Sequence, residues 1–86
     1  MMSIDRIEAI RRSIQGSLDS PVLTGFPKGP KKRAAQAALL RAMVTFSQLG
    51  ASVRDGVDIE GCPDIRDGLI AVTRDVHRSC ADLLRN

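Results

Sequence analysis

The sequence predicts an all-α fold: a small three-helix domain with two long antiparallel helices and a shorter N-terminal helix. Only 2% of the residues are aromatic, so the core must be built mainly from aliphatic side chains, which suits closely packed helices better than sheets. Three segments place apolar residues three and four positions apart, the spacing of one helix face. The 86 residues suffice for one domain near the lower size limit for a self-sufficient core.

The first predicted helix covers residues 3–15 and begins at Ser3, a typical N-cap residue. Gly16 is its predicted C-terminal stop. Residues 17–30 hold three of the four prolines, and we expect an ordered loop there that is anchored by a buried Phe26. An apolar stripe indicates that this helix is docked on another; it consists of Ile4, Ile7, Ile10, Ile14 and Leu18.

The second predicted helix covers residues 31–49, with Pro30 in its first turn and Gly50 just past its end. Its main apolar face is formed by Ala35, Ala38, Leu39, Ala42, Met43, Phe46 and Leu49. A narrower apolar stripe lies roughly opposite and consists of Ala37, Leu40 and Val44. Two stripes indicate either a central helix contacted on both sides or a face reserved for a partner.

Residues 50–61 contain Asp55-Gly56 between short alternating segments, which is a hairpin-turn signal. An irregular loop or a broken helical turn is an equally good interpretation, because segments this short form only marginal hairpins. The third predicted helix begins at Pro63 and ends near Arg85. Its continuous apolar stripe is Ile65, Leu69, Val72, Val76, Cys80 and Leu83.

The narrower stripe of the second helix predicts self-association. Three helices can close one core with their main faces, which leaves Ala37, Leu40 and Val44 without a partner inside one chain. Symmetric dimers are the commonest oligomers, and an antiparallel helix pair is self-complementary, so we expect a homodimer. In the alternative, the stripe is covered within the monomer by loop residues, namely Val22, Leu23 and Phe26.

A run of cations precedes and opens the second helix, where the helix dipole disfavours positive charge. The run consists of Lys28, Lys31, Lys32 and Arg33. It has three interpretations: a solvated charge cluster, a contact to phosphate or nucleic-acid backbone, or a contact to an acidic protein surface. It lacks the glycine spacing of a nucleotide-binding loop and has no interleaved aromatic residue to stack on bases.

No set of residues predicts catalysis, a metal site or a cofactor. Cys62 and Cys80 lie at opposite ends of one predicted helix, about 27 Å apart at 1.5 Å per residue. They therefore cannot share a zinc ion or a disulfide, and His77 beside Cys80 supplies only a second ligand of the four required. Cys80 lies on the apolar stripe, where a thiol is not activated. We expect a chain that is not an enzyme.

The sequence contains no apolar run of the ~20 residues that a membrane span requires, and its first residues show no secretory signal. With two cysteines and no export signal, we expect a cytoplasmic protein that does not enter membranes. The predicted function is that of a non-enzymatic helical binding protein, a regulator or inhibitor that docks on another protein as a homodimer. The alternative is a basic accessory protein that contacts nucleic-acid backbone through residues 28–33.

Overall fold

A computed structural model describes residues 3–57 and 61–85 of the chain. These residues form three long helices and one short helix and contain no strand, which confirms the predicted all-α class. The helices in chain order are α1 (Ile4–Leu18), α2 (Pro21–Thr24), α3 (Pro30–Arg54) and α4 (Pro63–Leu84).

The long helix α3 is the centre of the domain, and α1 and α4 pack along it. Both run antiparallel to α3: Glu8 near the start of α1 pairs with Arg54 at the end of α3, and Lys31 at the start of α3 bonds to Arg85 at the end of α4. The core lies on the main apolar face of α3, as the sequence predicts. Its buried members are Ile7, Ile14, Leu23, Ala35, Leu39, Ala42, Phe46, Leu49 and Leu83.

Helix α1 begins as predicted, because the Ser3 hydroxyl accepts a hydrogen bond from the Arg6 amide at 3.2 Å. The predicted stop at Gly16 is wrong: the helix continues to Leu18. A glycine within a helix costs up to about 1 kcal/mol relative to alanine. The extra turn brings Leu18 against the core, and this burial offsets the cost.

The proline-rich connection contains a helical turn, α2, that the sequence analysis did not predict. The Ser20 hydroxyl accepts a bond from the Val22 amide at 3.3 Å, and Pro21 occupies the first helical position. The turn directs Leu23 into the core with 4% of its surface exposed. Leu23 is therefore the principal anchor of the connection, whereas the predicted anchor Phe26 is only half-buried.

Helix α3 also continues beyond its predicted end. Gly50 is buried inside the helix, facing Ile7 of α1, and the helix ends only at Arg54. A Schellman motif closes it: the Gly56 amide donates to the Val53 carbonyl at 3.1 Å, and the next amide donates to the Ser52 carbonyl at 3.0 Å. Because residues 52–54 are helical and residues 55–57 form the C-terminal cap of α3, the hairpin interpretation is wrong for these residues. Residues 58–60 lie outside the described part of the chain.

Helix α4 matches its prediction to within one residue. Leu83 is its only fully buried side chain among residues 63–84, and the rest of its apolar stripe is half-buried against α3. The domain measures 43 × 21 × 16 Å with a radius of gyration of 14.0 Å. A compact domain of this length has a radius of about 12 Å. The chain is therefore an elongated helical layer with a thin core.

Candidate interaction surfaces

Two of the four predicted basic residues bond to helix ends of the same chain. Lys31 Nζ donates to the Arg85 carbonyl at 3.1 Å, beside the C-terminus of α4. Lys32 Nζ donates to the carbonyls of Thr24 and Phe26, each at 3.1 Å, at the C-terminus of α2. Helix C-termini attract cations, so the antiparallel packing explains why lysines are accommodated at the N-terminus of α3.

The remaining cations, Lys28 and Arg33, are exposed. They line an open groove with a volume of about 500 Å³ together with Gly29, Lys32 and Gln36. The structure thus brings Lys28, Lys32 and Arg33 to one groove, while Lys31 is bonded to the end of α4. The groove combines positive charge with an open shape, and none of its lining residues carries a carboxylate.

The second stripe of α3 faces away from α1 and α4. Leu40 and Val44 are 55% and 56% exposed. The stripe continues beyond the predicted three residues, because the same spacing of three and four includes Ser47 and Ala51. The Ser47 hydroxyl donates to the Met43 carbonyl of its own helix at 2.8 Å, so it needs no further partner. We call these residues the outer face of α3: Ala37, Leu40, Val44, Ser47 and Ala51.

The loop residues do not cover the outer face. Leu23 and Phe26 pack against the core cluster on the opposite side of α3, and Val22 is itself 58% exposed. Leu40 and Val44 therefore remain more than half exposed in the single chain.

Charged residues bracket the outer face at both ends. Arg33 and Asp55 each lie eleven residues from Val44, which is about three helical turns. Both therefore fall on the same side of α3 as Val44, and both are exposed. Between them α3 carries no carboxylate, and its other charged residues are cationic. The face thus has one positive end and one negative end.

A second apolar surface lies where α2 meets the C-terminal end of α4. This terminal notch has a volume of about 140 Å³ and is lined by Ser17, Ser20, Val22, Leu23, Leu39, Cys80, Leu83 and Leu84. Val22 is 58% and Leu84 is 71% exposed at its rim. The notch is not predictable from apolar spacing, because one of its walls is the short helix α2, for which Ser20-Pro21 is the sequence signal.

The candidate metal ligands are dispersed. Cys62 is the N-cap residue of α4, half-buried Cys80 lines the terminal notch near the other end of that helix, and His77 is exposed. In residues 3–57 and 61–85, no three His, Cys, Asp or Glu side chains are placed to hold a metal ion. None of the helices described here combines the length and the hydropathy needed to cross a bilayer.

Comparison with protein-family models, with curated proteins and with solved structures gives no match for this chain.

Proposed function

We propose that this chain is a non-enzymatic helical binding protein that forms a homodimer through the outer face of α3 and acts as a regulator or inhibitor by docking on another protein. The observation that carries the proposal is the exposure of Leu40 and Val44 on the central helix. Large apolar side chains exposed side by side favour an interaction surface, because their contact with water is unfavourable.

The spacing of the outer face suits helix pairing. Its five residues recur at intervals of three and four, the pattern of a coiled-coil seam, and extend for about 21 Å along α3. Ala37, Ser47 and Ala51 are small, so the backbone of a second helix can approach closely around Leu40 and Val44.

The charges at the two ends favour an antiparallel arrangement. In an antiparallel pair centred on Val44, Arg33 lies opposite Asp55 of the second copy, and Ala37 lies opposite Ala51. A parallel pair would instead place the Arg33 side chains of both copies together. Opposite charges at the rim of an interface set the register and orientation of the partners, and like charges oppose association.

The expected affinity is modest. Complete burial of a Leu or Val side chain contributes ~1.5–3 kcal/mol, so burying the exposed half contributes about 1 kcal/mol. Leu40 and Val44 of two chains then supply about 4 kcal/mol in total. A micromolar complex requires a net free energy of about 8 kcal/mol after the entropy lost on association is offset, so we expect association weaker than micromolar. We expect a dissociation constant of about 10–100 µM.

The alternative function, a basic accessory protein on nucleic-acid backbone, has less support. No aromatic side chain accompanies the run to stack on bases.

Sedimentation equilibrium tests the proposed homodimer. Leu40→Glu places a charge in the centre of the outer face, and we expect this variant to be monomeric with unchanged helical circular dichroism. Ile70→Glu is the matched control, because Ile70 is a 50% exposed apolar residue on α4, away from the outer face. It should remain dimeric. A native chain that is monomeric well above 100 µM would contradict the proposal, as would a Leu40→Glu variant that still dimerises.

A further inference from the structure

The terminal notch has the size and the lining of a socket for one apolar side chain. The notch is open to solvent, and its volume of about 140 Å³ is close to that of a ~150 Å³ enclosed apolar cavity that holds a benzene ring. Leu23, Leu39 and Leu83 form its floor and are each at most 4% exposed, so the socket is built on the core. Val22 and Leu84 stand at its rim and are more than half exposed.

One lysine is bonded beside each of the two walls of the notch. Lys31 is bonded to the Arg85 carbonyl, next to Leu84 on the α4 wall. Lys32 is bonded to the Thr24 carbonyl, next to Leu23 on the α2 wall. A lysine ammonium has three N–H donors, and Lys31 uses one of them in its bond to Arg85. Lys28 adds a further exposed cation in the groove that Lys32 also lines.

From this juxtaposition we infer that the terminal notch and Lys28, Lys31 and Lys32 form the docking site for an acidic segment of another protein, which inserts one large apolar side chain between Val22 and Leu84. The inference rests on the proposed function and specifies the chemistry of the partner. The apolar side chain supplies the buried anchor of the complex, and the carboxylates of the segment pair with the lysines at the rim.

A protein segment fits both parts of this site, the apolar notch and the lysines beside it, better than other polyanions do. Nucleic-acid backbone would engage the lysines but would leave the notch empty. An anionic bilayer would attract the lysines but has no single side chain to enter a concave socket. The site also lies at the end of the molecule, whereas the outer face runs along the middle of α3, so one chain can use both surfaces at once.

Selection from a phage-displayed library of random 12-residue peptides tests the inference with the full chain immobilised at low salt. We expect the enriched peptides to carry a net negative charge and a large apolar residue flanked by Asp or Glu. A synthetic peptide of the enriched sequence should bind in fluorescence anisotropy and should lose affinity when its apolar residue becomes Ser. Enrichment without an acidic bias, or no enrichment, would overturn the inference.

Variants of the chain locate the bound peptide. Leu84→Asp and Val22→Asp should each lower the affinity for the peptide about tenfold or more, which is the effect of removing a contact worth ~1.4 kcal/mol. Lys28→Glu should weaken it and reduce its salt dependence. Ile70→Asp and Arg66→Glu are matched controls on the exposed side of α4 and should bind like the native chain. Equal binding by Leu84→Asp and Ile70→Asp would refute the site.

Further measurements test whether the notch binds DNA or lipid instead of a peptide, and whether it acts independently of the homodimer. Duplex DNA and vesicles with anionic lipid should each bind the native chain and the Leu84→Asp variant equally. If either ligand binds the native chain more strongly than the variant, that ligand, and not an acidic protein segment, occupies the notch. Leu84→Asp should still dimerise in sedimentation equilibrium, and monomeric Leu40→Glu should still bind the peptide. Loss of peptide binding in Leu40→Glu would contradict two separate surfaces.

Discussion

Gly56 ends α3 because its backbone adopts a φ of +84°, a conformation that side chains with a Cβ disfavour. Gly68 is the same residue type in the opposite situation: it lies inside α4, and a Cβ there would meet no atom within 4 Å. The first glycine is required by its backbone geometry, and the second weakens its helix.

Exchange of these two glycines for alanine should therefore change stability in opposite directions. Gly56→Ala should lower the free energy of unfolding by about 1–2 kcal/mol, the cost of a left-handed residue with a side chain. Gly68→Ala should raise it by about 0.5–1 kcal/mol through the better helix propensity of alanine. Urea denaturation followed by circular dichroism measures both values, and changes of the same sign would contradict the cap described at Gly56.

The lysines at the start of α3 make a second prediction at this scale. Lys32→Met keeps most of the side-chain length but removes the bonds to Thr24 and Phe26. A hydrogen bond from a charged group contributes ~1.5–3 kcal/mol when well shielded, and Lys32 is half-buried, so we expect a loss of about 1 kcal/mol. Lys28→Met is the control and should leave the urea midpoint unchanged. Equal midpoints in the two variants would show that Lys32 serves no structural purpose.

At the scale of elements, periodicity predicted the long helices because each has a continuous apolar stripe, and their start signals, Ser3, Pro30 and Pro63, are where the sequence places them. The ends were less predictable. Glycine stops a helix only if the next residues gain nothing by continuing, and here Leu18 and Val53 pack against the core beyond Gly16 and Gly50. That tertiary gain is invisible in local sequence.

The error in the predicted end of α3 also limited how much of the interaction surfaces could be predicted from the sequence. Ala37, Leu40 and Val44 were recognisable from spacing alone, whereas Ala51 joins the outer face only because α3 continues to Arg54. The terminal notch required knowledge of α2, a single turn too short to show periodicity.

Helix α2 should depend on one buried side chain. Leu23→Ala removes the contact that fixes this turn on the core, and truncations of this kind cost ~2–5 kcal/mol. Because α2 is short and close to the surface, we expect a value near the lower limit, together with loss of the notch wall and of peptide binding. Val22→Ala, one residue away but 58% exposed, should cost less than about 0.5 kcal/mol. Comparable losses of stability in the two variants would contradict the anchoring of α2 by Leu23.

At the scale of the whole molecule, the elongated layer and the exposed outer face have a common cause. One central helix supports two neighbours on one side, so its opposite side has no partner within the described residues. A second copy placed there in the antiparallel register would give α3 neighbours on both sides. This arrangement requires complementary charges as well as complementary shape, because each Arg33 must lie near Asp55 of the other copy.

A charge exchange across that pair tests the register directly. Arg33→Asp and Asp55→Arg should each weaken the dimer in sedimentation equilibrium, because each variant places like charges opposite one another at both ends of the interface. The double variant restores opposite charges and should recover most of the native affinity. Exposed ion pairs contribute ~0.2–1 kcal/mol each and the symmetric dimer has two, so we expect the single variants to weaken it by about two- to thirtyfold. The restoration should fade at high salt, where such pairs are screened. Single variants that dimerise like the native chain, or a double variant no better than the singles, would exclude antiparallel pairing centred on Val44.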